Sequence, residues 1–462
     1  MAIALNQNFT PTVESQENDG LRKPKAVPIL GSLPFIRKDP LNFFASTAAA
    51  CGGATELSFG FEKVLMLTDP AYIRHVSVEN AKNYRKSKFY GPLKPLLGEG
   101  ILLAEGDEWL SQRQTAGKAF QGPELKRFVT TMGDAAAPMI ARWHRKAARG
   151  EPVDVTSEMF RLTLDIVLRC LFSVEVNERY PDVYDALTEI LRDTEKRIWA
   201  IASPPRWMPT PGNARYNAAL RTLDRFVLDI VEDRRASGQR PNDFLQILID
   251  AYGDESSDKF NPRLLRDQAL SMVLAGHDTT ANVLSWVLFE LSKNPVIARQ
   301  LKDEVDTVLE GRRPAFEDLS KLPFIKMVFD ETARLYPPAW TLSRTAVGDD
   351  QVGNHQIKSG DNIMLCAYAV HRKPSLWRNP EGFDPYRFAE ANKSHQQYAY
   401  FPFGLGARTC LGARFALMES IVIIAMIFQS FRLELVPGQV IRPEPMLTLR
   451  PNGPINMALS GA

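Results

Sequence analysis

A long apolar segment between two Asn-Pro pairs limits the possible folds more than any other part of the sequence. The first pair, Asn261-Pro262, places a favoured N-cap residue before a proline at the first helical position. Apolar residues then dominate as far as the second pair, Asn294-Pro295. The pattern predicts one helix of about 32 residues, or about 48 Å at 1.5 Å per residue. Because its middle is apolar on nearly all sides, we expect this helix to cross the core of the molecule.

The composition is that of an ordinary globular protein whose main partner is not a nucleic acid. The chain has 462 residues, of which 45% are hydrophobic and 24% are charged, with a net charge of +2. This balance gives no basic excess of the kind that binds nucleic acids. Four cysteines lie far apart without a CxxC pair: Cys51, Cys170, Cys366 and Cys410. This spacing argues against a disulfide scaffold and a zinc site, and it favours a reducing, cytoplasmic location.

The pattern along the chain predicts one mainly α-helical domain with a small β-rich part, over residues 21–462. Residues 1–20 are polar and are expected to form a flexible tail. They contain no apolar run long enough for a membrane span, so we expect no membrane anchor. Helical spacing dominates from about residue 107 to residue 310, with a proline-rich interruption near residue 204. The apolar residues 362–370 are predicted to form a strand, and alternation around Gly60 predicts a β-hairpin.

The segment FGLGARTC, residues 403–410, places a cysteine after two glycines and an arginine. Gly404 and Gly406 predict a tight turn, and an apolar helical pattern follows Cys410. At a helix N-terminus, backbone N–H groups and the helix dipole stabilise an anion such as a thiolate. On these residues alone three interpretations stay open. Cys410 is a structural cysteine, a nucleophile that works with a distant histidine, or a thiolate ligand of haem iron.

The longer segment FGLGARTCLG resembles the cysteine-ligand loop of the cytochrome P450 family, in its soluble, bacterial-type members. Six residues stand where the family pattern expects them: Phe403, Gly404, Gly406, Arg408, Cys410 and Gly412. Further motifs of the family occur in its order between residues 109 and 412. The resemblance implies a mainly helical fold that binds haem b (iron protoporphyrin IX), with the Cys410 thiolate as axial ligand and with Phe403 and Gly404 beside the haem.

The segment AGHDTT, residues 275–280, places an acid beside an alcohol within the long helix. A charge in an apolar helix costs on the order of several kcal/mol unless it has a partner or a cavity. Taken alone, the segment therefore leaves two interpretations open, a bent, hydrated position in the helix or a functional acid–alcohol pair. The resemblance implies that Asp278 and Thr279 deliver protons to dioxygen, and that Ala275 and Gly276 contact the haem. His277 occupies a variable position of the motif and is given no chemical role.

Several cations match positions that bind the haem propionates in the family. Trp109 and Arg113 lie one helical turn apart, and in isolation they indicate only an amphipathic helix anchored by tryptophan. The resemblance makes them propionate ligands together with Arg344 and Arg408. An apolar pocket that takes up two carboxylates needs such cations. The tryptophan is one variant of this motif, since many soluble bacterial relatives have histidine there.

The segment ETAR, residues 331–334, places Glu331 and Arg334 as neighbours on one helix face. By itself such a spacing indicates a surface ion pair of little energetic worth. The resemblance implies a structural network in which both residues join Arg387 and hold the cysteine loop in place. Five histidines show no metal-ligand spacing and are expected to be ordinary surface or loop residues: His75, His144, His355, His371 and His395.

Apolar segments that match the substrate-contacting regions of the family predict a hydrophobic organic substrate. The candidate pocket residues would equally suit a plain core: Trp340, Leu342, Met272 and Leu447. The resemblance implies a monooxygenase that hydroxylates this substrate with O2. Two alternatives use the same haem, namely a peroxide-driven peroxygenase, which the Asp278-Thr279 pair argues against, and a non-catalytic haem-binding protein. A cysteine hydrolase is the alternative from a different class.

We expect the electrons to come from a separate ferredoxin or flavodoxin with its NAD(P)H reductase, and we expect the chain to be a monomer. The predicted docking surface for the electron donor is a basic patch: Arg113, Lys118, Lys126, Arg127 and Arg414. An acidic partner would be attracted to such a patch, and salt would weaken the attraction.

Overall fold

The computed structural model describes residues 24, 26–122, 124–175, 182–198, 203–254, 256, 259–391 and 397–461. Within these ranges the α-helices are α1 (Leu33–Lys38), α2 (Pro40–Ala50), α3 (Pro70–Arg74), α4 (Lys94–Leu97), α5 (Gly106–Gly117), α6 (Glu124–Ala148), α7 (Val155–Phe172), α8 (Val183–Ile198), α9 (Pro211–Ser237), α10 (Phe244–Tyr252), α11 (Pro262–Lys293), α12 (Pro295–Leu309), α13 (Pro323–Leu335), α14 (Ala367–Val370) and α15 (Ala413–Ser430). The strands are β1 (Ala54–Phe59), β2 (Glu62–Leu67), β3 (Tyr84–Lys86), β4 (Val153–Asp154), β5 (Leu342–Ala346), β6 (Asp350–Val352), β7 (His355–Ile357), β8 (Asn362–Leu365), β9 (Phe431–Leu435), β10 (Pro443–Pro445), β11 (Leu449–Pro451) and β12 (Asn456–Gly461). The predicted mainly α-helical fold is confirmed. The predicted tail at residues 1–20 and His395 lie outside the described residues.

Two units divide the chain. The sheet unit comprises Met1–Phe89 and Asp330–Cys410, and the helical unit comprises Tyr90–Phe329 and Leu411–Ala462. The sheet unit contains a five-stranded sheet of order β1-β2-β8-β5-β3, in which β2 and β8 run parallel. The helical unit contains the long helices, the three-stranded sheet β4-β12-β9 and the β10-β11 ribbon. The assignment of residues 21–462 to one domain stays a prediction.

Helix α11 is the predicted long helix, and its bounds confirm the sequence pattern. It has 32 residues, and the Asn261 side chain caps it by accepting a hydrogen bond from the Leu264 N–H at 2.9 Å. It ends before Asn294, whose N–H donates to the Glu290 carbonyl at 3.1 Å. Its residues between positions 265 and 291 are almost all buried, so the helix passes through the core of its unit.

Local sequence patterns gave one correct and one wrong strand prediction. The hairpin β1-β2 turns at Gly60, as predicted. The predicted strand at residues 362–370 is wrong in its second half, because β8 ends at Leu365 and the next residues form α14. A continuous apolar run has no alternation that separates strand from helix. The length of β8 is instead set by its partner, since the last pair of the parallel ladder joins Leu365 to Leu67 at the end of β2.

The proline-rich interruption near residue 204 falls between two helices, as predicted. Helix α8 ends at Ile198, and α9 begins at Pro211, where the Thr210 hydroxyl accepts a hydrogen bond from the Asn213 N–H at 3.2 Å. Residues 199–202 within the interruption lie outside the described residues.

Helix α15 is long and apolar enough to cross a membrane by length and composition. However, 67% of it is buried inside the molecule, and a core helix passes the same test.

A buried ion pair lies at the centre of the sheet unit and brings together the three residues predicted to form a network. The Arg334 guanidinium donates two hydrogen bonds to the Glu331 carboxylate, at 2.7 and 2.9 Å, and both side chains are completely buried. Arg387 donates to the same carboxylate at 3.3 Å. Arg334 also donates to the carbonyls of Pro380 and Gly382, at 2.7 and 3.1 Å. These bonds tie α13 to the loop that follows α14.

His371 is part of this network, which corrects its assignment as an ordinary surface or loop residue. Its ring is buried, with Nδ1 at 3.2 Å from the Arg334 carbonyl and Nε2 accepting a hydrogen bond from the Phe401 N–H at 3.0 Å. Burial and the Arg334 charge lower the pKa of His371 to about 3, so the ring is neutral with its proton on Nδ1. One ring therefore links α13 to the segment that leads into the cysteine loop at Phe403.

We predict that His371→Phe lowers the free energy of unfolding by about 2–6 kcal/mol. The phenyl ring keeps the aromatic volume but leaves the Arg334 carbonyl and the Phe401 N–H, both buried, without their partner, at about 1–3 kcal/mol each. Chemical denaturation measures the change. His144→Phe is the matched control, because His144 is exposed and its replacement should change stability by less than about 0.5 kcal/mol. Equal losses in the two variants would contradict the linking role of His371.

Candidate functional site

Cys410 ends a tight loop in the sheet unit that a main-chain hydrogen bond closes. The Cys410 N–H donates to the Phe403 carbonyl at 2.8 Å. Gly404 and Gly406 have φ angles of 72° and 64°, in the left-handed region that favours glycine. At Gly406 a Cβ atom would also lie 2.1 Å from the Ser77 carbonyl oxygen. Both the backbone angle and the available space therefore require glycine at this turn.

Cys410 differs from the other three cysteines in its exposure. Cys51, Cys170 and Cys366 are buried, whereas Cys410 is exposed. Burial raises the pKa of Cys366 to about 12, and it raises the pKa of Cys170 well above its usual value, with a further contribution from Glu419. The buried thiols therefore stay protonated and behave as small apolar side chains. Among the cysteines, Cys410 is the one placed to act as a ligand.

Gly412 has no evident role in the packing of the chain. Helix α15 begins at Ala413 with Gly412 as its N-cap residue, so Cys410 lies three positions before the first helical residue. The φ angle of Gly412 is −88°, which any residue adopts. A Cβ atom at this position would meet no described atom within 4 Å. A flat group lying against the backbone would account for a glycine at this position.

In the helical unit, an accessible strip interrupts the buried surface of α11. Ala275, Gly276 and Thr279 are half-buried, and their i, i+1, i+4 spacing places them on one helix face. The Thr279 hydroxyl donates to the Ala275 carbonyl at 2.8 Å, the bond expected for a threonine inside a helix. Packing also favours glycine at position 276, because a Cβ atom there would lie 2.8 Å from a methyl group of Val167. The strip contains three of the four residues of this helix that were predicted to deliver protons or to contact the haem.

Asp278, the fourth, points into the protein interior and is fixed there. Its carboxylate Oδ2 accepts a hydrogen bond from the Thr448 hydroxyl at 2.6 Å, and its backbone carbonyl accepts one from the Asn282 amide at 2.8 Å. Burial raises the pKa of Asp278, while the Thr448 hydrogen bond and the Arg450 charge oppose the rise. The carboxyl group therefore holds a proton more readily than an exposed aspartate does. Sequence reasoning missed Thr448, which is 170 positions away.

A second buried carboxyl group, Glu195 of α8, lies beside the same segment of chain. It accepts hydrogen bonds from the Leu447 N–H at 3.4 Å and from Arg450 at 3.2 Å. Burial raises the pKa of Glu195 to about 7, with a smaller contribution from the negative charge of Asp278 and against the effect of Arg450. No local pattern indicated a buried carboxyl group here, because the neighbours of Glu195 in α8 have the charge pattern of an exposed helix.

The four predicted propionate ligands are half-buried side chains, two in each unit. In the helical unit, Trp109 and Arg113 lie on α5 with the guanidinium carbon 5.6 Å from the indole centroid. In the sheet unit, Arg344 lies on β5 and donates to the Ser343 carbonyl at 2.9 Å. Arg408 ends a short 3-10 turn that begins at Gly406. Half-burial suits a cation that reaches a ligand carboxylate, and these roles stay predictions.

The predicted substrate-pocket residues fall into two groups. Trp340 and Met272 are buried, and the Trp340 ring packs on Phe44 with 5.9 Å between centroids. Leu342 and Leu447 are half-buried. The second group has the partial exposure that a pocket wall needs, whereas Trp340 has an ordinary core environment. All four roles stay predictions.

These features fit the haem that the sequence resemblance implied. Cys410 offers an accessible thiol for the iron, Gly412 leaves the backbone open to a flat ring, and the half-buried cations suit the two carboxylates. Among the described residues no cluster of three or more His, Cys, Asp or Glu side chains could hold a metal ion by itself.

Comparison with known proteins identifies the family. A model described as cytochrome P450 matches residues 21–458. The chain is 32% identical over 417 residues to cyclooctat-9-en-7-ol 5-monooxygenase of Streptomyces melanosporofaciens, covering 90% of each protein. It is 32% identical over 435 residues to the chloroplastic carotene epsilon-monooxygenase of Arabidopsis thaliana, covering 88% of this chain and 80% of that protein. It is 28% identical over 428 residues to pentalenene oxygenase of Streptomyces avermitilis, covering 92% of this chain and 94% of that protein. The chain therefore belongs to the cytochrome P450 family and is a monooxygenase of the oxidoreductase class.

Proposed function

We propose that this monooxygenase hydroxylates a largely hydrocarbon substrate, with haem b as its cofactor and the Cys410 thiolate as the axial ligand. The accessible Cys410 thiol in its closed glycine loop carries the proposal. When bound, the haem supplies the activation of O2 and the transfer of one oxygen atom to a C–H bond, and electron donation from the thiolate assists both.

The residues of the chain would hold and orient the haem. The loop from Phe403 to Cys410 fixes the position of the sulfur, since two of its glycines adopt angles that other residues avoid. Trp109, Arg113, Arg344 and Arg408 are the residues that would bind the haem carboxylates. The indole N–H donates one hydrogen bond, and each guanidinium can donate two to one carboxylate.

Asp278 and Thr279 would supply protons during the reaction. Thr279 lies on the accessible strip of α11, where its hydroxyl can turn from the Ala275 carbonyl towards a reacting group. Burial raises the pKa of Asp278 and so favours the protonated form of its carboxyl group. Their adjacency in one helix places a buried proton store beside an accessible hydroxyl. This division of roles follows from their different burial.

The substrate class is proposed from the apolar candidate pocket residues and from the names of three relatives. Those names denote cyclooctat-9-en-7-ol, a carotene and pentalenene as the compounds oxidised by the respective proteins. All three names indicate alkenes that consist mainly of carbon and hydrogen. Leu342 and Leu447, which are half-buried, would contact such a substrate through apolar surface alone. We therefore propose an alkene-containing, largely hydrocarbon substrate.

A separate ferredoxin or flavodoxin, reduced by its own NAD(P)H reductase, is the proposed electron donor. Lys126 and Arg414, far apart in sequence, both lie over the Phe316 ring, at 5.8 and 5.9 Å from its centroid. This shared ring supports a common basic surface. Lys126 pairs with Glu317 at 2.6 Å, and that ion pair reduces its charge towards a partner. Lys118 is exposed, and with Arg414 it would contribute most to the attraction.

A cytoplasmic, monomeric enzyme completes the proposal. The four cysteines lie far apart in the sequence without a CxxC pair, which favours a reducing compartment.

We predict that Cys410→Ala abolishes the thiolate-ligated haem. The reduced protein should lose the red-shifted absorption band of its carbon monoxide complex, because alanine offers no ligand atom. Circular dichroism checks that the variant is folded. Cys51→Ala is the matched control, since Cys51 is buried and should not alter the band. Retention of the band in Cys410→Ala would rule out the proposed ligand.

We predict that Thr279→Ala keeps the haem but lowers the product formed per NAD(P)H on the order of tenfold, with hydrogen peroxide formed instead. The reason is the loss of one general-acid group, which typically contributes at least this much. Product, peroxide and NAD(P)H are quantified in the same assay. Thr279→Ser should restore the yield, and Thr280→Ala should leave it unchanged because Thr280 lies off the strip and is buried. An unaltered yield in Thr279→Ala would refute its role.

We predict that reduction of the haem by an acidic ferredoxin slows as the salt concentration rises, because a Debye length of about 8 Å at 0.15 M screens surface charges. Lys118→Glu and Arg414→Glu should slow the reaction at low salt and weaken its salt dependence. Lys63→Glu, a substitution of an exposed lysine in the sheet unit, is the control and should have no effect. Stopped-flow absorbance gives the rates. Salt-independent reduction would argue against this docking surface.

A further inference from the structure

The segment Thr448-Leu449 docks on one face of α11 through three side chains. Asp278, Asn282 and Trp286 follow one another at intervals of four residues, so they share a helix face. Asp278 accepts from the Thr448 hydroxyl, the Asn282 amide donates to the Thr448 oxygen at 3.1 Å, and the Trp286 indole donates to the Leu449 carbonyl at 3.4 Å. The hydroxyl of Thr448 is thus held between an acceptor and a donor.

The Thr448 hydroxyl accepts one hydrogen bond and donates another, and Asp278 is the acceptor of the second. A hydroxyl has one proton to donate and lone pairs that accept. The Asn282 amide N–H can only donate, so it occupies the acceptor side of the Thr448 oxygen. The Thr448 hydroxyl donates its own proton to Oδ2 of Asp278, at 2.6 Å. A proton carried by this carboxyl group therefore belongs on the other oxygen, Oδ1.

The position of Thr448 is fixed from both sides. The preceding Leu447 N–H and the following Arg450 side chain both donate to Glu195 of α8, at 3.4 and 3.2 Å. Strand β11 also pairs with β10, in the register Pro445 with Leu449. Because the backbone is held on each side, Thr448 can hold the Asp278 carboxyl group in one orientation.

We propose that Thr448 is a positioning residue for proton delivery, which fixes the rotamer of Asp278 and leaves Oδ1 as the oxygen that carries the transferable proton. The inference rests on the proposed function of Asp278 as a proton store, and it adds the residue that directs this store. Thr448 acts only through Asp278.

The groups around Asp278 determine whether its pKa should rise or fall when the Thr448 hydroxyl is removed. The opposing charges of Arg450 on β11 and Glu195 on α8 face it, and its helix neighbour His277 is neutral because burial lowers the pKa of its ring to about 4. The Thr448 hydrogen bond stabilises the carboxylate form, which lowers the pKa of Asp278. Removal of the hydroxyl should therefore keep Asp278 protonated to higher pH.

Thr448→Val and Thr448→Ser provide the test, since valine preserves the volume without the hydroxyl and serine preserves the hydroxyl. Thr163→Val is the matched control. The buried Thr163 hydroxyl donates to the His277 carbonyl at 3.1 Å, one residue before Asp278, and does not touch the Asp278 carboxyl group. Thr448→Ala replaces the valine variant if valine disturbs folding.

The first measurement is independent of turnover. Infrared difference spectra of the substrate-free holoenzyme against Asp278→Asn report the carbonyl stretching band of protonated Asp278 as a function of pH. In Thr448→Val the band should shift in frequency and persist to higher pH. Thr448→Ser and Thr163→Val should match the parent enzyme.

The second measurement is the solvent deuterium isotope effect together with the product formed per NAD(P)H. Thr448→Val should increase the isotope effect and lower the yield several-fold, and Thr448→Ser should restore both. If Asp278→Asn leaves both quantities unchanged, the proposed proton store fails, and this inference fails with it. If Asp278→Asn changes both while Thr448→Val keeps the parent infrared band and isotope effect, this inference alone is overturned.

Discussion

The buried ion pair between Glu331 and Arg334 is the interaction on which the geometry of the sheet unit depends. Loss of one partner from such a pair leaves an uncompensated charge in the interior, at about 3–5 kcal/mol. The native fold therefore requires the ion pair, and it also requires acceptors for the remaining N–H groups of Arg334. These N–H groups donate to the carbonyls of His371, Pro380 and Gly382. Through His371 this requirement reaches the main chain at Phe401. Hydrogen bonds therefore connect the ion pair to the segment that precedes the cysteine loop.

In the helical unit, the candidate site residues are positioned by a long buried helix. Helix α11 is buried over most of its length, and the Asp278 and Asn282 side chains within it bind the Thr448 hydroxyl. Thr279 remains on an accessible face while Asp278, the adjacent residue, lies inside among Thr448, Asn282 and Arg450. Neighbouring residues on a helix differ in direction by about 100°. That rotation is sufficient to separate an accessible hydroxyl from a buried acid.

Sequence patterns predicted those parts of the fold and site that local interactions determine. The cap at Asn261 and the turn at Gly60 need only their immediate neighbours, and the cysteine loop is one continuous motif. The contacts of Thr448, Glu195 and His371 join positions that are far apart in the chain, and a single sequence records no signal for such pairs. The bounds of β8 and α14 were missed for a related reason, because the end of β2 sets where that strand stops.

The neutral ring of His371 has a consequence for acid tolerance. The pKa of His371 is about 3 in the folded protein, far below its ordinary value of 6.5. Between these two pH values the ring binds a proton in the unfolded chain but not in the native protein. Above pH 6.5 this difference in pKa does not lower the free energy of unfolding. Between pH 6.5 and about 3, each unit by which the pH falls lowers the free energy of unfolding by about 1.4 kcal/mol. The native ring stays largely neutral until the pH approaches 3. Mild acidification would therefore lower the free energy of unfolding while the His371 ring still contacts the Arg334 carbonyl and the Phe401 N–H in its neutral form.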